Sequence, residues 1–387
     1  MGASWPQVTL GEVAKLIQRK EPVVLGVRYR QIGIRLWGCG AYARKEIDGS
    51  ETKYPVFYRI LNNDIVVNKI WARSGTVAVV DDSFDGFHGS AEYPTYKIDQ
   101  SLMIPQWFGW YTRSSSLWSQ CEKLSRGTSS KSRLRPERFL EVTLPLPPLE
   151  EQRRIVAWLD GVKIRMDKRL AVIEEQERDA DAMLQAAFQR LIEDAPYRSM
   201  AKVAPMVRRQ IEIVPDEEYT EIGIKSFYRG VFHRRRQAGL EFSWQKLFRI
   251  EQGDLIFSNL MAWEQAIAVA EEQDHGCVGN HRMLTCQTNR RLATPNFLLF
   301  FFKTPDGFAT ITGASPGSIA RNKTLSAKSL PTIEVPVPPI DKQHWFDGLQ
   351  ASVQKIHDLH AATATEIDAL LPAMLHRVFN GASGQSG

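Results

Sequence analysis

The chain has 387 residues, of which 43% are hydrophobic and 24% charged, and it carries a formal net charge of +5 at pH 7. With a mean hydropathy of −0.29 and no unbroken apolar run of roughly 18 residues, a globular protein of about two domains without membrane spans is expected. The opening Met1-Gly2-Ala3-Ser4-Trp5-Pro6 lacks a secretory signal's basic and apolar regions, and Cys39, Cys121, Cys277 and Cys286 form no CxxC pair, so a reducing, cytoplasmic setting is expected.

A short helix is expected at Leu10–Ile17. Strand-like Asp64-Ile65-Val66-Val67 and Thr76-Val77-Ala78-Val79-Val80 follow, so residues 1–148 read as a mixed α/β segment. Pro147-Pro148 then opens a long helix over 149–195, since proline is tolerated in a first turn and Glu150-Glu151 complement the N-terminal dipole. Ile155, Leu159, Val162, Met166, Leu170, Ile173, Ala180, Leu184, Ala187 and Leu191 trace a coiled-coil seam with one polar break at Glu177. At about 1.5 Å per residue this helix is about 65–70 Å long. Residues 196–340 form a second mixed segment, with strand-like Asp254-Leu255-Ile256-Phe257 and Ala266-Ile267-Ala268-Val269 and a short helix at Pro295–Phe302. A second long helix over 341–380 carries Leu349, Val353, Ile356, His360, Thr363, Ile367, Leu370, Met374 and Val378. Pro372 is expected to kink it, Gly381 to stop it, and the Gly/Ser-rich tail 381–387 to be disordered. Two such seams in one chain most economically pack against each other.

The order of elements conceals a duplication. Tyr29-Arg30-Gln31-Ile32-Gly33-Ile34-Arg35 returns as Tyr219-Thr220-Glu221-Ile222-Gly223-Ile224-Lys225, and Asp64, Gly86, Gly89 and Pro105 return as Asp254, Gly276, Gly279 and Pro295. After one inserted residue, Leu144-Pro145-Leu146-Pro147-Pro148-Leu149-Glu150-Glu151-Gln152 answers to Val335-Pro336-Val337-Pro338-Pro339-Ile340-Asp341-Lys342-Gln343. The period is domain-sized, too long for a solenoid unit. A globular segment and its helix have been duplicated, which points to a pseudo-two-fold molecule and a target in two parts. Charge follows the same division: net +6 over residues 1–148 and +4 over 196–340, against −3 over 149–195 and −2 over 341–387. That asymmetry favours a polyanion at the globular segments and a protein partner at the helices.

A basic α/β segment ends in a Ser/Thr/Lys-rich loop and a short strand. Then Leu144-Pro145-Leu146-Pro147-Pro148-Leu149-Glu150-Glu151-Gln152-Arg153-Arg154-Ile155-Val156 leads into a long helix, and the whole unit occurs twice. Over about residues 4–380 the chain resembles the DNA-specificity subunit of type I restriction-modification systems. The second copy departs from the first, with Asp341-Lys342-Gln343 at the helix start and His344-Trp345-Phe346 after it. The resemblance implies an α+β fold: two mixed α/β target-recognition domains in tandem repeat, 1–148 and 196–340, joined by two long antiparallel coiled-coil helices. Each domain would read one half of a split sequence in double-stranded DNA. The helices would set the spacing and dock two adenine methyltransferase (modification) subunits, with restriction subunits as further partners in some complexes. S-adenosylmethionine and Mg/ATP would belong to those partners, leaving this chain without a cofactor. Gln152, Ile155, Leu159, Gln343, Phe346 and Leu349 would be the partner-binding positions on the helices.

The residues independently argue against catalysis in this chain. The Pro-Pro pairs, Pro147-Pro148 and Pro338-Pro339, follow Leu and Val rather than the Asn or Asp of an amino-methyltransferase motif, and no GxxxxGK[ST] is present. Gly38-Cys39-Gly40 reads as a turn, and Glu51-Thr52-Lys53 as a solvated loop rather than half a nuclease site. His275, Cys277, His281 and Cys286 have zinc-ligand chemistry, but the first copy holds Asp85, Phe87, Ala91 and Tyr96 there, so buried thiols and loop histidines are expected instead of metal.

DNA readout needs Arg, Lys, Asn or Gln at base edges and more numerous contacts to phosphate. In the first copy the candidates are Arg28, Arg30, Arg35, Arg44, Lys45 and Arg73, with Arg126, Lys131 and Arg133 of the hydroxyl-rich loop. In the second they are Arg208, Arg209, Arg234, Arg235, Arg236 and Arg282, with Arg321, Asn322 and Lys323 of the matching loop. Residues shared by both copies are read as scaffold: Gly33 and Gly223 for close backbone approach, Ile32, Ile34, Ile222 and Ile224 for the core. Two rival functions share the DNA-binding chemistry: the DNA-binding subunit of a combined endonuclease-methyltransferase, and a stand-alone regulator.

Overall fold

The computed structural model describes residues 5–125, 133–242, 246–315 and 323–379. The chain divides into two compact units, residues 1–173 with 360–387, and residues 174–359. The boundaries fall inside both long helices, Leu149–Ile192 and Ile340–Phe379, so each unit holds part of each helix.

The first unit is built on a four-stranded antiparallel sheet in the order Val77–Val79, Asp64–Val67, Thr95–Ile98, Ala14–Ile17. Strand periodicity of two sends Ile65 and Val67 to one face and Val66 to the other. On the first face they join the main core, under the helices Pro105–Tyr111 and Ser115–Leu124. The central helix contributes Ile155, Val156 and Leu159 to that core, and the last turns of the C-terminal helix contribute Leu375 and Phe379. Phe379 meets Trp107 edge-on at 5.0 Å and Tyr111 at 5.2 Å, so the C-terminal helix is held to the same core that the central helix enters. Val66 on the opposite face joins Ile32, Ile34, Ile60, Val80 and Phe87 in a second, smaller core. This core lies under a two-part hairpin, Arg28–Tyr29 with Ile47–Asp48 and Ile32–Ile34 with Ala41–Ala43. The sheet therefore separates the hairpin from the long helices.

Gly33 is required where the hairpin closes, because a Cβ there would stand 2.3 Å from the Tyr42 ring across the pair. At Gly49 the obstacle is backbone, with the Val24 carbonyl oxygen 2.1 Å from a would-be Cβ.

The second unit repeats the plan, with strands ordered Met206–Val207, Met283–Cys286, Leu255–Ser258, Ile267–Val269. Leu255 and Phe257 face the main core, while Ile256 faces the small core beneath the hairpin built from Glu218–Tyr219, Ile222–Ile224, Val231–His233 and Gln237–Ala238. Phe188, near the end of the central helix, sits among Phe297, Phe300 and Phe346 at 5.0–5.6 Å, the place Phe379 takes in the first unit. Asp181 and His357 lie 3.8 Å apart between the two helix segments here.

The helix-start motif has a structural cause. Gln152 is fully buried; its Oε1 accepts from the Ile104 N–H at 2.9 Å, and its Nε2 donates to the Leu102 and Pro147 carbonyls at 2.9 and 2.8 Å. Gln343 makes the same three bonds, to the Thr294 N–H and the Leu292 and Pro338 carbonyls. A primary amide with every contact satisfied ties each helix to its own domain.

Several expectations are corrected. The short helix covers only Leu10–Val13; Ala14–Ile17 is a strand, because the open side of Thr95–Ile98 offers backbone partners that a second helical turn would forgo. The C-terminal helix is a single element across Pro372. Ile356 and Leu370, read as seam residues, are exposed, while Val353, Leu375 and Phe379 are buried. The helix positions assigned to partners are corrected too. Gln152, Ile155, Leu159, Gln343 and Phe346 are buried within their own unit, and Leu349 packs against the second core, so they hold domains rather than present a docking face.

Candidate nucleic-acid interface

Two basic ridges recur in the two units. The first is the shoulder of the hairpin, the segment that follows Ala41–Ala43 in one copy and Val231–His233 in the other. Arg44 and Lys45 project there, fully exposed and with no ion pair among the described residues. Their counterparts are Arg234, 3.7 Å from the buried Glu221, and Arg235, which is exposed and unpaired among the described residues. Arg236 pairs with Glu218 at 3.0 Å in the open. Arg28 lies beside Asp48, whose carboxyl is held below its ordinary range, first by the Ser50 N–H and to a smaller degree by Arg28. Arg30 and Arg35 are exposed but oriented by their neighbours. Arg30 donates to the Asp85 carbonyl at 3.1 Å and lies 4.6 Å over Phe87, and Arg35 donates to the Ala41 carbonyl and lies 5.3 Å over Tyr42.

The second ridge is the loop that leads from a central strand to the edge strand beside it, Asp64–Val67 to Val77–Val79 in one unit and Leu255–Ser258 to Ile267–Val269 in the other. In the first unit it carries Lys69 and half-buried Arg73, and Arg133 is brought beside it because Glu92 pairs with both Lys69 at 3.6 Å and Arg133 at 3.1 Å. The Leu134 N–H bonds to the Lys69 carbonyl, anchoring the return of the hydroxyl-rich loop at this edge. In the second unit the Leu325 N–H bonds to the Asn259 carbonyl in the same way, the Asn259 N–H bonds to the Arg282 carbonyl, and Lys323 stands 5.9 Å over Trp263. Arg126, Lys131, Arg321 and Asn322 lie outside the described residues.

The hairpin tip connects the two ridges. Gly38 donates its N–H to the Gly75 carbonyl at 2.8 Å, and in the second unit Phe227 and Tyr228 donate to the Glu264 and Gln265 carbonyls. Gly38-Cys39-Gly40 is the expected turn, with positive φ at both glycines. Next to it Trp37 holds φ 57°, and Phe227 and Tyr228 hold φ 62° and 53°. Bulky side chains in this region are genuine outliers and cost about 1–3 kcal/mol each, so the surroundings must enforce them. Sequence reading missed these aromatics, because strain is invisible in composition; their matching offset was the available signal.

Two predicted cations have other work. Arg209 makes a bidentate pair with buried Asp254 at 2.7 and 3.1 Å, and Asp254 also accepts the Glu251 N–H. The first copy does the same with Arg19 and Asp64, at 2.5 and 3.2 Å. Arg208 stacks 4.8 Å over Phe248 and donates to the Met283 carbonyl. Of the cysteine–histidine group, Cys286 lies in the main core and Cys277 in the small one, and Cys277 lies 3.9 Å from His233, itself bonded to Asp274. Burial pushes the thiols of Cys121 and Cys286 up to about 12.

Residues 3–176 match the family model described as type I restriction modification DNA specificity domain. No curated protein matches the chain. Among solved structures it is similar to the HsdS subunit from Thermoanaerobacter tengcongensis, with TM-score 0.63 and 19% identity over 98% of this chain and 97% of that one. A second similar chain, from work on complex assembly and conformational transition of the type I R-M system, gives TM-score 0.68 and 18% identity over 97% of each. At these identities the likeness establishes the fold, from end to end of the chain. The resemblance read from the Pro-Pro helix starts is thus borne out, and the α+β specificity fold with it. The second specificity unit lies beyond the matched residues, and it repeats the first strand for strand. Among the described residues no helix is long and apolar enough to cross a membrane.

Proposed function

We propose that the chain is the non-catalytic, sequence-reading subunit of a type I restriction-modification complex, with a bipartite double-stranded DNA target. The observation that carries this reading is a shared scaffold with unlike cations: Arg19–Asp64 and Arg209–Asp254 coincide, while Arg44-Lys45-Glu46 stands where Arg234-Arg235-Arg236 stands. Equal backbones with different exposed donors suit two half-sites of different sequence. The long helices dock two methyltransferase subunits in this reading. With the inner seam buried, the docking side chains are the exposed apolar ones, Trp158, Ile164, Met183 and Trp345. S-adenosylmethionine, Mg/ATP and the chemistry they support belong to those partners and to any restriction subunits.

The test is a methylation map of host DNA by long-read sequencing, in cells expressing the chain with the modification subunit encoded beside it and in cells lacking the chain. A new adenine-methylated motif in two halves with a fixed gap is expected. Exchange of residues 196–340 should change one half only. An unchanged map from a complex that assembles would overturn the reading and favour DNA binding or cleavage without methylation.

A further inference from the structure

Of the strained aromatics at the hairpin tips, Tyr228 packs against the second core, whereas Trp37 and Phe227 face solvent. Trp37 is 48% exposed and Phe227 64% exposed, at the same offset in the repeat and in the same left-handed backbone. The tip backbone is clamped to the neighbouring loop by hydrogen bonds, so glycine would fit there without strain. Trp37 rests edge-on against Trp118 at 5.0 Å, and the Arg229 guanidinium lies 5.7 Å over the Phe227 ring. Beside each tip, one residue before the adjoining 3-10 turn, stands a second exposed apolar side chain, Trp71 at 51% and Met261 at 39%. Cations outnumber carboxylates around these: Arg35, Lys69 and its partner Glu92 in one unit, Lys225, Arg229 and Lys323 with Glu264 in the other. Water-exposed rings on a rigid, strained support inside a cationic edge are suited to lie against nucleic-acid bases, which every sequence presents as π-faces.

We propose that Trp37 and Phe227 are apolar wedges, each pressed against a partly unstacked base step in the half-site its own unit reads. This rests on the DNA-reading function proposed above. The wedge gives a sequence preference without hydrogen bonds, because steps that unstack easily accept it and stiff steps do not.

The experiment uses the full chain in complex with its modification subunits, on duplexes carrying the mapped motif with 2-aminopurine at successive positions. Wild type should raise fluorescence at the methylated adenine and at one further step in each half. Trp37→Gly should abolish the further signal in the first half only, and Phe227→Gly in the second only. Each should lose about tenfold to a hundredfold in affinity with the salt slope unchanged. Trp37→Phe should restore the signal. Phe227→Gly guards against a folding artefact, since Phe227 is 64% exposed, and thermal melting of both variants is the control. Folded variants with wild-type fluorescence and affinity would sink the wedge and leave the specificity function standing. Failure of the wild-type complex to prefer the motif duplex would sink both.

Discussion

The two hairpins share a backbone and differ in what they do with a buried polar residue at its centre. In the second unit Glu221 is buried, with Asn280 donating to it at 2.6 Å and the Arg234 guanidinium forming an ion pair with it at 3.7 Å. In the first unit the same place holds Gln31, also buried, whose Nε2 has no partner, and Arg44 beside it is left exposed. One carboxylate therefore restrains a cation that in the other copy is free to contact a ligand. The lesson is that the two units are equal where backbone must be held and unequal where side chains face out. A protein reading two different half-sites needs that arrangement.

The equality of the scaffolds is tested most sharply at the buried ion pairs, which both units share. Arg209→Ala strands the Asp254 carboxylate, 2% exposed, and Arg19→Ala strands Asp64, 3% exposed. Each should cost about 3–5 kcal/mol, read from denaturant unfolding of the full chain. A large cost in one unit and none in the other would refute a common scaffold. Next come the anchoring amides. Gln152→Ala and Gln343→Ala each leave backbone groups unpaired and should cost about 2–3 kcal/mol, with amide exchange accelerating at Ile104 and Thr294. If neither variant shifts stability, the amides do not tie helix to domain. The smallest effects sharpen the inequality. Arg235→Ala should weaken binding to the motif duplex by about 1–3 kcal/mol and relax one position if it reads a base. Arg234→Ala should do less than Arg44→Ala, since Glu221 already offsets its charge. Equal losses at Arg234 and Arg44 would remove Glu221 from the account.

Much of this molecule was legible before any coordinates. The long helices lie within three residues of where periodicity and Pro-Pro placed them, and Asp64–Val67 is a strand as read, because strong local patterns dominate there. The repeat exposed Gly33 and Gly223 as positions of close approach, and a Cβ at either would lie 2.3 Å from an aromatic ring. The reading failed where partners come from far along the chain. Ala14–Ile17 became a strand because Thr95–Ile98 was waiting for it, about 80 residues away. Arg209 looked like a DNA contact and is paired with Asp254, a fact that depends on two distant loops meeting. The repeated glutamine of the helix start read as a partner contact and is an internal anchor, since two of its three bonds reach a loop some 50 residues earlier. The sequence by itself determined the duplication, the helices and the class of protein, all written in local periodicity and in the chain's likeness to itself. Only the tertiary structure decided which cations remain free, which apolar faces are covered and which aromatics are held under strain, because each of these depends on what a side chain meets across the fold.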